Sequence, residues 1–269
     1  MSLALYRRML SLHLKTMMNY AVGSAFYMVL MLGIYPSIAS NSQAIDELVA
    51  AMPEGIGRAF NLTSGFGTAQ SFISGEYYGL ILVLILSVFS VLLATQLIAK
   101  LVDQGAMAYL LAAPLTRGKV AFTQASVLVT GLALIMGMTT IAGFAGAAIF
   151  LEDGALDSGR FLALNGMAFL LFFAVGGIAF LVSAVSNDEK RALGISGAIT
   201  FGFFTLDLLG RLSGQLDWLR AVSLFALYRP GEIVEGSGPA PLFGAALLTI
   251  GAAAFAIGIV RFRRRDLPL

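Results

Sequence analysis

Residues 79–99 read GLILVLILSVFSVLLATQLIA, without one charged side chain. An α-helix needs about 20 predominantly apolar residues to cross some 30 Å of hydrocarbon, and this stretch supplies them. Its apolar residues do not alternate with polar ones, as a lipid-facing barrel strand requires. In lipid, backbone amides must be satisfied within the segment, so the run is expected to be a helix. Five further runs, at roughly 17–39, 122–149, 161–185, 192–210 and 241–260, repeat the pattern, and short polar breaks between them carry most of the charge. The chain therefore reads as an all-α polytopic membrane protein with six transmembrane helices.

Composition agrees. Of 269 residues, 58% are hydrophobic and only 12% charged, with a mean hydropathy of +0.88. Soluble domains carry about 25% charged residues, so this surface cannot face water all round. The spans and connectors leave no room for a soluble domain, and 1–269 reads as one transmembrane domain. The absence of cysteine excludes disulfides, thiolate catalysis and cysteine-ligated metal. Ser37-Ile38-Ala39 imitates a signal-peptidase site, but 17–39 is far longer than a signal core.

Basic residues set the orientation. With the N-terminus inside, twelve fall on inner segments: Arg7, Arg8 and Lys15; Lys100, Arg117 and Lys119; Lys190 and Arg191; Arg261, Arg263, Arg264 and Arg265. Five fall outside: Arg58, Arg160, Arg211, Arg220 and Arg229. The excess predicts that both termini are cytoplasmic. Acids lean outward, at Asp46, Glu47, Glu54, Glu76, Glu152, Asp153, Asp157, Asp217, Glu232 and Glu235. Dispersed near span ends, the cations read as topology signals rather than as a nucleic-acid surface.

Residues 2–16 are expected to form a short amphipathic helix in the headgroup plane, with Arg7, Arg8, Ser11 and Lys15 on one face. His13, the chain's one histidine, is read as interfacial and without chemistry. In the outer segment 40–78, Ile45, Leu48, Val49 and Met52 recur at helical spacing until Pro53. One or two short helices are expected there. The glycine pairs Gly55/Gly57 and Gly65/Gly67 lack the third glycine of a dinucleotide loop. Asn61-Leu62-Thr63 matches a glycosylation triplet by composition alone. Between the fifth and sixth spans, Leu216, Leu219, Val222 and Phe225 suggest the buried stripe of a short helix closed by Pro230-Gly231, with Trp218 and Tyr228 at the interface. Small residues in three spans (Gly143, Gly146, Ala147 and Ala148; Gly176 and Gly177; Gly194, Gly197 and Ala198) permit close helix approach within one chain or between two.

Groups for chemistry are scarce. Asp207 is the charge read as lying well inside a run, and Arg211 follows at i+4, where the two can pair. An ionisable residue in a membrane is a functional candidate by default, so a substrate or proton role for Asp207 stays open beside structural pairing. No nucleotide motif is present. The Gly118-Lys119 pair has Ala113 where a phosphate loop needs Gly, and Val120 where it needs Ser or Thr. The chain is read as a non-enzyme with no cofactor or metal of its own.

The connector 100–120 reads KLVDQGAMAYLLAAPLTRGKV. Asp103-Gln104-Gly105 offers a cap and a break; Met107, Leu110 and Leu111 form an apolar ridge; Pro114 ends it and Arg117 returns to the membrane surface. This stretch resembles the connector of ABC-2-type permeases, in which an acidic residue and Gly precede a run like T-x-x-LLL-x-x-P-x-x-R. Gly105, Leu110, Leu111, Pro114 and Arg117 fall at those places, while Asp103-Gln104 replaces the usual acidic pair and Ala106 the usual Thr. The likeness extends to the amphipathic start, the long outer loop, the six spans, the outer segment around 211–235, and the ending Phe262-Arg263-Arg264-Arg265-Asp266-Leu267.

The resemblance implies an exporter permease in a bacterial or archaeal cell membrane. It implies a substrate pathway formed between two permease chains, identical or homologous. A separate cytosolic ATPase would carry the ATP and Mg and seat the 103–117 helix, with the 2–16 helix beside it. Walls rich in Phe, Met and small residues suit an amphipathic cargo. An ion-coupled carrier using Asp207 and a non-catalytic membrane scaffold stand as alternatives. A cysteine substituted for Ser2 or Leu269, in a chain with no other thiol, is expected to escape a membrane-impermeant reagent applied from outside; labelling at either would reverse the orientation.

Overall fold

The structure, a computed structural model, describes residues 1–59, 65–112, 114–152 and 156–266. The Asn61–Thr63 triplet, Ala113, Asp153 and Leu267 lie outside the described residues. In chain order the helices are α1 (Leu3–Ala39), α2 (Ser42–Ala50), α3 (Glu54–Ala59), α4 (Ala69–Ile73), α5 (Leu82–Leu97), α6 (Ala99–Asp103), α7 (Ala106–Ala112), α8 (Arg117–Phe150), α9 (Ser158–Val185), α10 (Glu189–Leu212), α11 (Pro230–Glu235) and α12 (Ala240–Arg264). A π-helical turn, Ser74–Ile81, joins α4 to α5, and two 3₁₀ segments, Gly214–Val222 and Leu224–Leu227, follow α10. Among the described residues, six helical units are long and apolar enough to span a membrane: α1, the α4–α6 unit, α8, α9, α10 and α12. Among the described residues there is no strand.

Two boundaries differ from expectation. The amphipathic segment 2–16 is not a separate element but the first turns of the 37-residue α1. Residues 11–22 contain neither Gly nor Pro, so nothing interrupts the backbone ladder. The amphipathic character survives, with Leu5 and Met9 buried and Arg7, Arg8, Ser11 and Lys15 exposed. At 1.5 Å per residue α1 is about 55 Å long, well beyond the hydrocarbon thickness. The second span starts at Ala69 rather than at 79. Its polar first turns are satisfied internally: Thr68 caps α4, and Ser74 Oγ donates to the Ser71 carbonyl at 2.8 Å. Glu76 therefore lies inside a span, not in the loop.

The spans pack as two parallel pairs. α1 lies along α8 from the Ser2 amide donating to Thr123 Oγ1 (3.0 Å), through Tyr6–Thr130 (2.8 Å) and Ser24–Thr139 (2.6 Å), to Gly33 facing Phe150. α9 lies along α12, with Met167 against Gly244, Gly177 against Gly251, and Phe180 against Gly258. α5 packs against α8, α9 and α10. The π-turn orients its neighbouring tyrosines differently. Tyr77 bonds Ser24 of α1 at 2.5 Å, while the Tyr78 hydroxyl donates to Asn165 Oδ1 of α9 at 2.9 Å. Both rings are fully buried.

Glycine decides how close these helices come. A Cβ at Gly177 would sit 2.8 Å from the Gly251 carbonyl oxygen, which is backbone and cannot step aside. At Gly143 it would overlap the Phe161 ring, and at Gly146 it would meet Leu32 at 2.9 Å. These clusters are spent within the chain. Gly194 and Gly197 on α10 differ, because a Cβ there meets nothing within 4 Å. Gly177→Ala is expected to lower stability in detergent by about 1–3 kcal/mol, the usual cost of overpacking, while Gly194→Ala and Gly197→Ala do not lower it. Equal sensitivity at all three positions, read by thermal unfolding, would contradict this packing.

Candidate functional site

The start of α1, the end of α12 and two connectors meet at one end of the bundle. Arg117, at the start of α8, donates to the Arg265 carbonyl just past α12, and Arg263 packs on Gly118. Arg265 Nη1 in turn donates to the carbonyls of Ala184 (2.8 Å) and Ser186 (2.9 Å) at the end of α9. One guanidinium thereby satisfies carbonyls that the end of a helix leaves without partners. The Ala99 amide donates to Ser183 Oγ at 3.0 Å, and Lys100 pairs with Glu189 at 3.2 Å.

Asp103 sits in this junction with a different partner from the one expected. It ends α6, and its Oδ2 accepts from the Glu189 amide at 3.2 Å, capping the start of α10 rather than that of α7. Asp188 shares the task, accepting from the Arg191 amide at 2.5 Å. Gly105 makes the break between α6 and α7 at φ +69°, a conformation that costs glycine little. In α7, Met107 is fully buried, Leu110 and Leu111 are half-buried, and Tyr109 stands 84% exposed. The ridge of Met107, Leu110 and Leu111 therefore anchors α7 to the bundle, and the group offered outward is Tyr109, which sequence spacing does not single out. Pro114 is exposed, and Arg117 is engaged as above.

At the opposite end, Asp207 is buried near the end of α10. Arg211 Nη2 lies 2.6 Å from its Oδ2, the i+4 pair expected from the sequence. The structure adds Arg220, whose Nε lies 3.4 Å from Asp207 Oδ1 and whose Nη1 lies 3.2 Å from Asp217. Arg220 comes from the 3₁₀ segment, which folds back so that its side chain crosses Gly210, where any Cβ would overlap it. Ser223 Oγ then donates to the Phe203 carbonyl at 2.7 Å, and Phe225 meets Phe204 edge-on. Gly55 of α3 presses on the Leu212 carbonyl, where a side chain would collide.

The expected buried stripe is corrected here. No residue of Gly214–Val222 is buried; Leu216, Trp218 and Val222 are exposed, and only Phe225 of the four turns inward. Pro230 opens α11 instead of closing a helix, as its fixed φ favours. Tyr228 is not interfacial either. It is buried, lines a small cavity with Asp207, Arg211, Leu208 and Val83, and its hydroxyl has no hydrogen-bond partner. Burial pushes its phenol well above the usual pKa, with Tyr77 adding to the rise and Arg211 opposing it, so it stays protonated. Beyond this cavity an outer cleft of about 530 Å³ is lined by Arg58, Arg211, Arg220, Arg229, Asp217 and Glu232, among others. It can receive polar or zwitterionic groups, and no group of three or more potential metal ligands occurs among the described residues.

Removing a buried partner strands a charge. Asp207→Ala is expected to cost about 3–5 kcal/mol in detergent unfolding. Arg220→Gln, from a side chain 24% exposed, should cost roughly 1 kcal/mol or less. Combined, the two should be non-additive; strict additivity would separate Arg220 from the cluster.

Comparison with known proteins converges on one family. The model of the ABC-2 family transporter protein matches residues 10–267. The chain is also 28% identical over 215 residues to the uncharacterized membrane protein YdbK of Bacillus subtilis (strain 168), covering 74% of this chain and 85% of that one. With six spans and a family match over nearly its whole length, this multi-pass membrane protein belongs to the ABC-2 transporter family.

Proposed function

We propose that this chain is the permease subunit of an ATP-driven exporter, working as a dimer and powered by a separate cytosolic ATPase. The observation that carries the reading is α7, a short helix held by Met107 at the end of the bundle where α1 starts and α12 ends, with Tyr109 projecting from it. The family usually works with a cytosolic ATPase subunit, and the sequence carries no phosphate loop of its own. In this reading the termini face the cytoplasm, ATP and Mg belong to the partner, and Tyr109 enters a cleft of that ATPase.

Asp103 and Lys100 give the docked helix leverage, because both tie its root to the start of α10. At the other end, Arg220 closes the outer segment onto α10 through Asp207. That latch serves as the exit gate, and its two guanidinium partners suit Asp207 to a structural role better than to ion coupling. The open glycine face of α10 at Gly194 and Gly197 is where a second permease chain fits. An amphipathic cargo matches the mixture of apolar wall and outer charged cleft.

Tyr109→Asp is expected to leave the permease folded and in the membrane while abolishing co-purification of the ATPase and ATP-dependent export. Leu110→Asp should fail earlier, by loosening α7 itself. Export driven in vesicles by a proton gradient without ATP, and lost in Asp207→Asn, would instead establish an ion-coupled carrier.

A further inference from the structure

The last turn of α12 carries Arg261, Arg263 and Arg264, with Arg265 just past it, and the four do not share one environment. Arg263 lays its aliphatic stem along Gly118 of α8 while the residue stays exposed. Arg261, Arg264 and Arg265 line a cleft of about 560 Å³ beside the end of α9, and the remaining walls are Val185 and Val260. Both valines are largely exposed, at 51% and 44%. Exposed valines near the ends of two spanning helices suit acyl chains. The cleft therefore has apolar sides toward the bilayer and a cationic rim toward the headgroups.

None of these three arginines makes an ion pair among the described residues. Arg265 is fixed, since its Nη1 is committed to the Ala184 and Ser186 carbonyls, and its buried Nη2 has no acceptor. It adds an unneutralised charge to the wall of the cleft. Arg261 and Arg264 beside it are exposed. Arginine donors in a fork match phosphate geometry, and clustered cations between spanning helices attract anionic headgroups. We infer that the cleft between the ends of α9 and α12 binds an anionic glycerophospholipid, its phosphate against Arg261 and Arg264 and an acyl chain along Val185 and Val260. Such a lipid would brace the α9–α12 junction that Arg265 already ties. The inference needs only the membrane embedding and stands apart from the proposed energy source.

The test uses the full chain in nanodiscs containing phosphatidylglycerol and phosphatidylethanolamine, released into mild detergent, with retained lipid read by native mass spectrometry. The wild type should retain phosphatidylglycerol selectively. Arg261→Gln with Arg264→Gln should weaken that retention roughly 30-fold, about fivefold for each cation removed. Lysines at both positions should preserve most of it, and Arg7→Gln with Arg8→Gln, at the same end of the bundle but outside the cleft, should weaken it far less. Inorganic phosphate should displace the lipid no better than chloride at equal ionic strength. The inference is overturned if the wild type shows no preference for phosphatidylglycerol, if the double glutamine variant retains it fully, or if phosphate competes specifically. Should the glutamine variant misfold, the wild-type preference and the phosphate competition still decide.

Discussion

Helices in lipid gain nothing from hiding apolar surface against one another, because the surrounding tails are equally apolar. Cohesion must come from close backbone approach and from the few polar groups that cannot face lipid. This chain uses both at chosen places. Gly177 meets the Gly251 carbonyl between α9 and α12, and Gly146 receives Leu32 between α8 and α1. Ser24, Tyr77 and Thr139 join α1, the π-turn and α8 through bonds of 2.5 and 2.6 Å. Each is a short-range constraint, so the two parallel pairs hold their register, and the functional ends inherit their positions from it.

Charge is then left to the two ends, where it does different work. At the end where α1 starts and α12 ends, charged groups mostly satisfy helix termini: Asp103 and Asp188 cap α10, and Arg265 closes α9. The Lys100–Glu189 pair is partly exposed and adds little energy by itself. Its worth is directional, since it ties the root of α7 to α10. At the opposite end Asp207 is nearly dry, with a side chain 5% exposed, and each guanidinium near it counts for more.

The six spans are legible in the sequence because length and hydropathy fix them without any tertiary contact. The Asp207–Arg211 pair is legible for the same reason, being a local helical spacing. What escapes is whatever depends on the chain folding back. Arg220 reaches Asp207 only because the connection is 3₁₀ rather than α and returns across Gly210. Tyr228 has the composition of an interfacial residue, and only the packing of α5 against α10 buries it. The start of the second span hides behind Gln70, Ser71, Ser74 and Glu76, which lower hydropathy although Gln70 is satisfied by a reciprocal pair of bonds with the Asp157 backbone at 3.2 Å. Tyr109 escapes for a plainer reason: an apolar ridge seen in a sequence does not say whether it grips the protein's own bundle or a partner.

The second span connects these ends. Its regular part, Leu82–Leu97, lies between two departures from α geometry: the π-turn above it, and Ile98 at φ −131° and ψ −65° below. A helix keeps its shape where its bonding pattern is uniform and yields where that pattern changes. The rod between these joints carries α6 and α7 at one end. At the other, Gly79, Leu80 and Val83 line the small cavity shared with Asp207, Arg211 and Tyr228. On the proposed reading, force on Tyr109 enters this rod through Met107 and arrives beside the Asp207 latch. The Tyr228 hydroxyl lies there without a hydrogen-bond partner, so a shift of the rod beside it breaks no bond of its own.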